Sequence, residues 1–255
     1  PLWNRDMPKG GSKLRIPETH GANPKRVVYF PSCIARNMGP GEEHTDRRTE
    51  PEAVISVLLK GGYDVILPKN LDKLCCGMAF ASKGLADAAH KKEKELEAAL
   101  KEASNNGQYP VLCETSPCLL HMKQTLDPSL TLMEPIEFIL EKMDGCLKFT
   151  KLPKTIALHA TCSVRKMGLE GKLEKLAKLC AENVIVPDGI NCCGWAGDRG
   201  FTHPELNESA LKGLRMQVST CEVGYSSSRT CQIGLSLHSG IPYYSIVFLV
   251  DEASV

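Results

Sequence analysis

The sequence has no long hydrophobic run, few aromatic residues and no surplus of either charge. Its longest apolar stretch, Ile246 to Val250, is far too short to span a bilayer, so we expect no transmembrane segment. Lysine and arginine number 31 against 30 acidic residues, and no basic run is interleaved with aromatics. This balance gives no reason to expect a nucleic-acid partner. The start also shows no signal-peptide pattern.

Cysteine, in contrast, is abundant, with 12 residues among 255. A secreted disulfide framework usually belongs to a short, loop-rich chain without a core. This chain is 42% hydrophobic and long enough to bury a substantial core. Adjacent cysteines are also poorly placed to bridge each other. We therefore expect free thiols that bind a metal or a cluster, in a reducing cytoplasm.

The cysteines follow the same arrangement twice along the chain. Each copy opens with C-x-x-R-x-M-G, continues with a Cys-Cys-Gly tripeptide and closes with a lone cysteine. The first set is Cys33, Cys75, Cys76 and Cys118, and the second is Cys162, Cys192, Cys193 and Cys231. The repeated order of these motifs indicates an internal duplication.

Apolar runs alternate with amphipathic segments in both halves. The predicted strands are 26–30, 63–67, 110–112, 154–159, 183–186 and 222–225. The predicted helices are 49–60, 85–104, 134–143, 173–182, 204–218 (with Thr202 as its cap) and 245–252. This alternation predicts an α/β fold of two tandem repeats of β-α-β units. Each repeat would form a small parallel sheet flanked by helices, with a pseudo-two-fold relation between the repeats.

The predicted domain organisation follows from the repeat. Residues 1–24 are rich in Pro, Gly and Lys and are predicted to be a linker. The first domain is predicted at 25–150 and the second at 151–255. Because the chain starts at Pro1 rather than at methionine, we expect an excised fragment of a longer protein.

The predicted topology brings distant cysteines together. Loops that leave the carboxyl ends of neighbouring parallel strands converge on one edge of the sheet. We therefore expect the four cysteines of each set to meet. Four thiolates suit either a [4Fe–4S] cluster or a closed tetrahedral zinc site. Gly77 and Gly194 would allow the sharp turn that paired cysteines need. Arg36 and Arg165 would offset the thiolate charge, or form surface salt bridges instead.

Several further cysteines and histidines lie near or outside the two sets. Cys113 is expected in the core rather than as a ligand. Ordinary thiols are expected at Cys146, Cys180 and Cys221. His159 stands where the first half has Phe30, and a hydrogen-bonded structural role is favoured over cluster tuning. His121 and His238 follow the closing cysteines, and either could complete a zinc site.

The cysteine motifs resemble a known family. The two C-x-x-R-x-M-G segments, the paired-cysteine loops and the 227–231 segment are similar to the CCG cysteine-rich domain pair. That family includes the B subunit of heterodisulfide reductase, the glycolate oxidase iron–sulfur subunit and the C-terminal part of FAD-linked D-lactate dehydrogenases. The 193–201 and 238–240 segments resemble the last group most. Nearly the whole chain is covered by this resemblance.

The resemblance implies a function and a set of partners. It implies the iron–sulfur electron-transfer part of an FAD-linked D-2-hydroxyacid dehydrogenase, acting on D-lactate or glycolate. Up to two clusters, of the [4Fe–4S] type, would be held by the eight cysteines. FAD would sit on an upstream part outside this chain, and the partners would be a flavin dehydrogenase and a ferredoxin-like module. The chain would therefore be an oxidoreductase component without catalytic residues of its own, unable to turn over alone. Its place would be the cytoplasm, peripheral to the inner membrane through those partners.

Two alternatives stay open at this stage. A catalytic disulfide reductase of the heterodisulfide reductase type would need a fifth thiolate in each set. This chain instead has C-x4-C from Cys113 to Cys118, and Cys231 stands without a close partner. That departure favours a simpler four-ligand site. The other alternative is a structural zinc or subunit-docking module.

Overall fold

The structure is a computed structural model that describes residues 7–11, 14, 25–40, 46 and 48–255. Most of the predicted linker, 1–24, lies outside the described residues. The described piece from Lys9 to Gly11 packs against the first half. The Gly11 N–H donates to the Asn37 carbonyl at 2.9 Å, and the Gly39 N–H donates to the Lys9 carbonyl at 2.7 Å.

The first half alternates strands and helices, as the apolar pattern predicts. Its strands are β1 (Lys25–Tyr29), β2 (Tyr63–Ile66), β3 (Val111–Leu112) and β4 (Leu132–Met133). Its helices are α1 (Cys33–Asn37), α2 (Glu50–Lys60), α3 (Met78–Ala81), α4 (Ala86–Ala103), α5 (Ser116–Thr125) and α6 (Pro135–Lys142). A short 3₁₀ turn at Leu71–Lys73 precedes the paired cysteines.

The second half repeats this order. Its strands are β5 (Leu152–Leu158), β6 (Ala181–Ile185), β7 (Val223–Ser226) and β8 (Tyr243–Ser245). Its helices are α7 (Cys162–Lys166), α8 (Glu170–Cys180), α9 (Pro204–Ala210), α10 (Leu214–Gln217), α11 (Arg229–Ser239) and α12 (Ile246–Ala253). A 3₁₀ turn at Arg199–Phe201 follows the second cysteine pair. None of the described helices combines the length and the apolar character that crossing a bilayer requires.

Each half builds one four-stranded sheet in which every pairing is parallel. The strand orders are β2-β1-β3-β4 and β6-β5-β7-β8. The two sheets therefore have the same topology, with β1 and β5 in matching central positions. This arrangement confirms the α/β class and the two repeats predicted from the sequence.

Three details of the predicted elements are wrong. The helix predicted over 204–218 is two short helices, because Gly213 adopts a left-handed φ of 87° between α9 and α10. The residue before α9 is His203 rather than Thr202. Cys33 and Cys162, which the sequence predicts on loops, instead begin α1 and α7. The N-caps of these helices are the hydroxyls of Ser32 and Thr161.

The two halves share a hydrophobic core. One buried cluster takes Leu58 and Phe138 from the first half and Leu176 and Leu249 from the second. The helices that meet there are α2 with α12 and α6 with α8. Two smaller clusters bury the other side of each sheet separately. The domain boundary at 150 and 151 stays a prediction, and this buried cluster takes residues from both sides of it.

Asp251 ties α12 to α2 at the edge of the shared core. Its carboxylate accepts from Ser56 Oγ at 2.7 Å and pairs with Lys60 Nζ at 2.9 Å and Arg48 Nη1 at 2.7 Å. Burial acts to raise the pKa of Asp251, but the hydrogen bonds from Lys60, Ser56 and Arg48 outweigh it. Together they hold the pKa below its usual 3.8.

We predict that Asp251→Asn lowers the free energy of unfolding by about 2 kcal/mol at pH 7. This loss is smaller than the loss expected when one partner of a fully buried ion pair is removed, because Lys60 and Arg48 stay partly exposed. A carboxylate with a depressed folded pKa stabilises above its unfolded pKa and loses that effect as pH falls through the folded one. The difference in the free energy of unfolding between Asp251→Asn and the parent should stay constant from pH 7 to about pH 5 and shrink below about pH 4.

Urea unfolding across this pH range measures the effect. Glu252→Gln is the matched control, because that neighbouring carboxylate pairs with Lys154 in an exposed position. It should change stability by less than about 0.5 kcal/mol. An Asp251→Asn effect that is equally large at pH 3 and pH 7 would contradict this account.

Candidate cysteine-ligated sites

The structure brings the first cysteine set together at the carboxyl edge of its sheet. Cys33 follows β1 as the first residue of α1, and Cys118 follows β3 as the third residue of α5. The pair Cys75 and Cys76 lies between β2 and α3. The thiols form a chain of hydrogen bonds from Cys33 to Cys75, then Cys76, then Cys118. We call these four residues the first site.

The second set forms the same arrangement. Cys162 hydrogen-bonds to Cys192, and Cys192 hydrogen-bonds to Cys193. Cys193 Sγ in turn donates a hydrogen bond to Cys231 Sγ at 3.0 Å. We call these four residues the second site. All twelve cysteines of the chain are free thiols. Within each site, thiols from three separate segments are therefore linked by hydrogen bonds from one to the next.

The thiols at each site share protons unequally. The hydrogen bond from Cys33 lowers the pKa of Cys75 to about 2, helped by Cys76 and the Gly77 N–H. The hydrogen bond from Cys162 likewise lowers the pKa of Cys192 to about 2, helped by Cys193 and the Gly194 N–H. The same bonds raise the pKa of each partner, which keeps its proton. Each site thus offers a thiolate, the form that binds metals.

Gly77 and Gly194 make the turn at each cysteine pair. Their φ angles are 91° and 71°. Each donates its N–H back to the first cysteine sulfur of its pair, Gly77 to Cys75 at 3.5 Å and Gly194 to Cys192 at 3.3 Å. A Cβ at Gly194 would lie 2.5 Å from the Leu206 carbonyl oxygen. Only glycine fits this turn without strain.

The two arginines of the repeated motif behave differently. Arg36 donates to the backbone carbonyls of Pro31 at 3.2 Å and Leu74 at 2.9 Å, so it joins the two segments of the first site. Its charge also acts to lower the pKa of Cys33. Arg165 pairs with Glu170 at 2.6 Å, and its buried Nε has no hydrogen-bond partner among the described residues. Arg165 therefore shows the salt bridge that the sequence left as an alternative.

A buried set of hydroxyl groups joins the two sites. Ser116 Oγ lies 2.8 Å from both Thr161 Oγ1 and Ser163 Oγ, and 3.2 Å from Ser227 Oγ. All four side chains are almost fully buried. Ser116 begins α5 in the first half, whereas the other three belong to the second half. We call these four residues the hydroxyl seam.

Sequence reasoning missed the hydroxyl seam. The signal was present, because each of its members lies within four residues of a site cysteine. Hydroxyl residues beside a motif are common at helix N-caps, so their contact across the halves is visible only in three dimensions.

The remaining cysteines lie where the sequence predicts or at the surface. Cys113 and Cys180 are fully buried in the hydrophobic core, and Cys221 is buried in the cluster behind the second sheet. Cys146 is partly exposed, and its sulfur accepts from Lys25 Nζ at 3.5 Å. None of these four takes part in the thiol contacts of either site.

The three candidate histidines have different surroundings. His121 Nε2 pairs with Glu93 at 2.8 Å. His238 lies seven residues beyond Cys231 on α11, about 10 Å along the helix axis, so it cannot complete the second site.

His159 is 2% exposed, and its Nε2 has no hydrogen-bond partner among the described residues. The expectation of a hydrogen-bonded histidine is therefore wrong for this atom.

The pKa of His159 depends on burial and on charged groups at and near the second site. Burial lowers its pKa to about 4, and the neighbouring Arg165 charge adds to the effect, whereas the Cys192 thiolate opposes it. A cavity of about 290 Å³ opens at the same end of β5 and β6. Its lining includes Arg165 and Asn191, the residue before Cys192.

The donor set of each site fits a soft metal or an iron–sulfur cluster. Four sulfurs converge, backbone N–H groups donate to one of them, and a helix N-terminus lies behind the closing cysteine. No group of three His, Cys, Asp or Glu side chains in the described residues has the spacing of ligands to one metal ion. The 3.0 Å contact between Cys193 and Cys231 is shorter than the roughly 3.8 Å between two thiolates on a tetrahedral zinc. The thiols would therefore have to move apart to bind an inorganic group.

A family model matches both halves. The cysteine-rich domain model, CCG, covers residues 27–123 and 156–234. The chain belongs to this cysteine-rich domain family. The two matched segments contain all eight cysteines of the first and second sites. The family assignment therefore confirms the resemblance inferred from the motifs.

Curated relatives match most of this chain. The C subunit of anaerobic glycerol-3-phosphate dehydrogenase from Escherichia coli (strain K12) is 24% identical over 246 residues, covering 89% of this chain and 59% of that protein. The protein of the same name from Escherichia coli O157:H7 matches with the same values. The chain thus spans about three fifths of the length of these relatives.

Among solved structures, Picrophilus torridus aspartate racemase superposes with a TM-score of 0.35 at 12% identity. This match covers 89% of this chain and 94% of that one. A likeness this weak says nothing about the fold or the function of this chain.

We predict that Gly194→Ala is more destabilising than Gly189→Ala. Both glycines have a φ of 71°, but a Cβ at Gly189 meets nothing within 4 Å. Gly189→Ala should therefore lower the free energy of unfolding by about 1–2 kcal/mol through backbone strain alone. Gly194→Ala should lose about 1–3 kcal/mol more, because its Cβ overlaps α9.

Urea unfolding under reducing conditions gives both values. Equal losses in the two variants would show that the contact between Gly194 and α9 does not constrain the cysteine turn.

Proposed function

We propose that each half binds one iron–sulfur cluster and that the chain carries electrons within a dehydrogenase. The observation that supports this most is the convergence of four thiols, from three segments, at the carboxyl edge of each sheet. Thiolate sets of four are typical ligands of [4Fe–4S] clusters. The proposed ligands are Cys33, Cys75, Cys76 and Cys118 at the first site, and Cys162, Cys192, Cys193 and Cys231 at the second.

The family and the relatives support a role in an oxidoreductase. The curated relatives carry the name of a dehydrogenase subunit, which indicates a protein that works with other components. We propose a flavin dehydrogenase and a ferredoxin-like module as the partners, on the same longer chain or on another subunit. FAD would then be held by the partner. The proposed location is the cytoplasm, peripheral to the inner membrane through these partners.

The substrate class is a separate part of the proposal. The segment from Cys193 to Phe201 resembles FAD-linked D-lactate dehydrogenases, so we propose a D-2-hydroxyacid such as D-lactate or glycolate. The name of the curated relatives points to glycerol 3-phosphate instead. Either substrate would be oxidised on the flavin component. This chain would contribute electron transfer and no substrate-binding residue.

The residues of this chain have three roles in the proposed mechanism. When bound, an iron–sulfur cluster supplies a one-electron carrier at each site. The eight cysteines hold it, while the N–H groups of Gly77 and Gly194 donate to sulfur and favour the thiolate form. Arg36 fixes the first-site segments and places a positive charge beside Cys33. The hydroxyl seam keeps the two sites at a fixed separation.

Two alternatives receive less support. A disulfide reductase of the heterodisulfide reductase type needs a fifth thiolate, and Cys113 is fully buried in the core. Structural zinc would use the same four thiolates at each site. Zinc is distinguished from iron by the bound element and by visible absorption.

We predict that the chain, prepared without oxygen and supplied with iron and sulfide, is brown and binds clusters at both sites. Cys76→Ser and Cys193→Ser should each remove roughly half of the bound iron and sulfide, because each disrupts one site. The double variant should bind almost none. Elemental analysis together with visible absorption measures this.

Cys180→Ala is the matched control, because Cys180 is a buried thiol of α8 outside both sites. It should keep the full iron content. A colourless protein that holds zinc in place of iron would contradict the proposed function. So would an iron content that is the same in Cys76→Ser, Cys193→Ser and the control.

A further inference from the structure

The two sites differ at one position that the duplication makes equivalent. Three residues before the opening cysteine, the first half has Phe30 and the second half has His159. Phe30 is fully buried and packs in the cluster behind the first sheet. His159 is just as deeply buried but carries two polar ring nitrogens. The otherwise repeated sites therefore have different polarity at this point.

His159 is held firmly but lacks a partner for one nitrogen. Its backbone N–H donates to the Tyr225 carbonyl at 2.9 Å, and its carbonyl accepts from Ser226 Oγ at 3.0 Å. Its Nε2 is buried and has no hydrogen-bond partner among the described residues. Leaving a buried polar atom without a hydrogen bond costs about 1–3 kcal/mol. We therefore treat Nε2 as an atom that binds a partner at this site.

The surroundings of His159 indicate which ligand it would meet. Phe30, the residue that matches His159 in the first half, packs in the buried cluster that also holds Cys76 and Cys118. The corresponding cluster behind the second sheet holds Cys193 and Cys231, so the duplication places the His159 side chain beside the second site. The positive charge of Arg165, three residues after Cys162, lies near enough to lower the pKa of His159. A sulfur-ligated group at the second site would therefore bring acceptor sulfurs near the unpaired Nε2, which can donate to them in the tautomer that has its proton on Nε2.

The sites also differ in exposure. Cys162 and Cys192 are exposed, whereas Cys33 and Cys75 at the matching positions are only partly exposed. The closing cysteines, Cys118 and Cys231, are buried in both sites. Hydrogen bonds to cluster sulfurs and contact with solvent both tune a cluster's reduction potential. Each stabilises the more negative, reduced state and so raises the potential.

We propose that His159 donates a hydrogen bond from Nε2 to a sulfur at the second site and makes that site the electron acceptor of the pair. The inference depends on the proposed function, because it requires clusters at both sites. One electron leaves the reduced first site, which becomes oxidised, and the second site gains it. No bond forms or breaks, and no proton moves. The exposed second site would then pass the electron to the external acceptor.

The test is a potentiometric titration of the cluster-loaded 255-residue chain, followed by EPR. The parent should show two reduction steps. His159→Phe, which places the first-half residue in the second half, should shift the upper step to lower potential and leave the lower step unchanged. His159→Gln keeps an N–H donor and should retain most of the parent value. Phe30→Leu, the control at the first site, should leave the upper step unchanged.

Several outcomes would overturn the inference. They are a His159→Phe titration equal to the parent, a shift confined to the lower step, or equal shifts in His159→Phe and His159→Gln. Iron content separates these from failure of the proposed function, because a parent chain that binds no cluster overturns both.

A measurement on the parent chain avoids any folding defect in the variants. Pulsed EPR with ¹⁵N-labelled histidine should show a weak nitrogen coupling to one cluster only. Absence of this coupling would show that His159 donates no hydrogen bond to a cluster. The strong coupling of a directly bound nitrogen would show that His159 is a cluster ligand and not a hydrogen-bond donor.

Discussion

Parallel pairing of the central strands β1 and β5 with their neighbours is the constraint on which both cysteine sites depend. In the first sheet, Val28 pairs with Val111 and Tyr29 with Leu112, so β1 and β3 end side by side. In the second sheet, β5 and β7 end together through the pairing of Leu158 with Tyr225. Because parallel strands release their following segments at the same edge, the opening and closing cysteines meet although many residues separate them.

The hydroxyl seam adds a second constraint that the duplication alone does not require. It joins the start of α5 in the first half to the starts of α7 and α11 in the second. Its members have almost no contact with solvent, so their hydrogen bonds to one another replace those that water would make. The edges of the two sheets that carry cysteines therefore face each other across a polar contact. This contact joins the two halves directly beside their cysteine sites.

Much of the fold follows from local patterns in the sequence. The long amphipathic helix α4 and the apolar strand β1 have strong periodicity, and the structure places both within one or two residues of their predicted bounds. Strands β4 and β8 contain two and three residues, too few for any alternation to show. Helices α1 and α7 have five residues each, and their cysteine motifs conceal the N-caps at Ser32 and Thr161.

The sites were predictable to a similar degree. Convergence of the cysteines follows from strand order, which the β-α-β alternation indicates. The unpaired Nε2 of His159 does not follow, because hydrogen bonding of a buried ring depends on neighbours from β7 and α7 that only the fold brings close. The different contacts of Arg36 and Arg165 are also invisible in the motif, since both copies read C-x-x-R-x-M-G. Repeated sequence thus predicts repeated geometry, whereas the chemical difference between the halves arises from the packing around each copy.

Native mass spectrometry of the chain, purified and sprayed without oxygen, tests the central claim most directly. It counts the inorganic atoms that remain bound to one folded molecule. The account predicts a mass increase that corresponds to iron and sulfide in equal numbers, at two clusters for each chain. A mass equal to that of the bare polypeptide after cluster reconstitution, or one raised only by zinc ions, would contradict it.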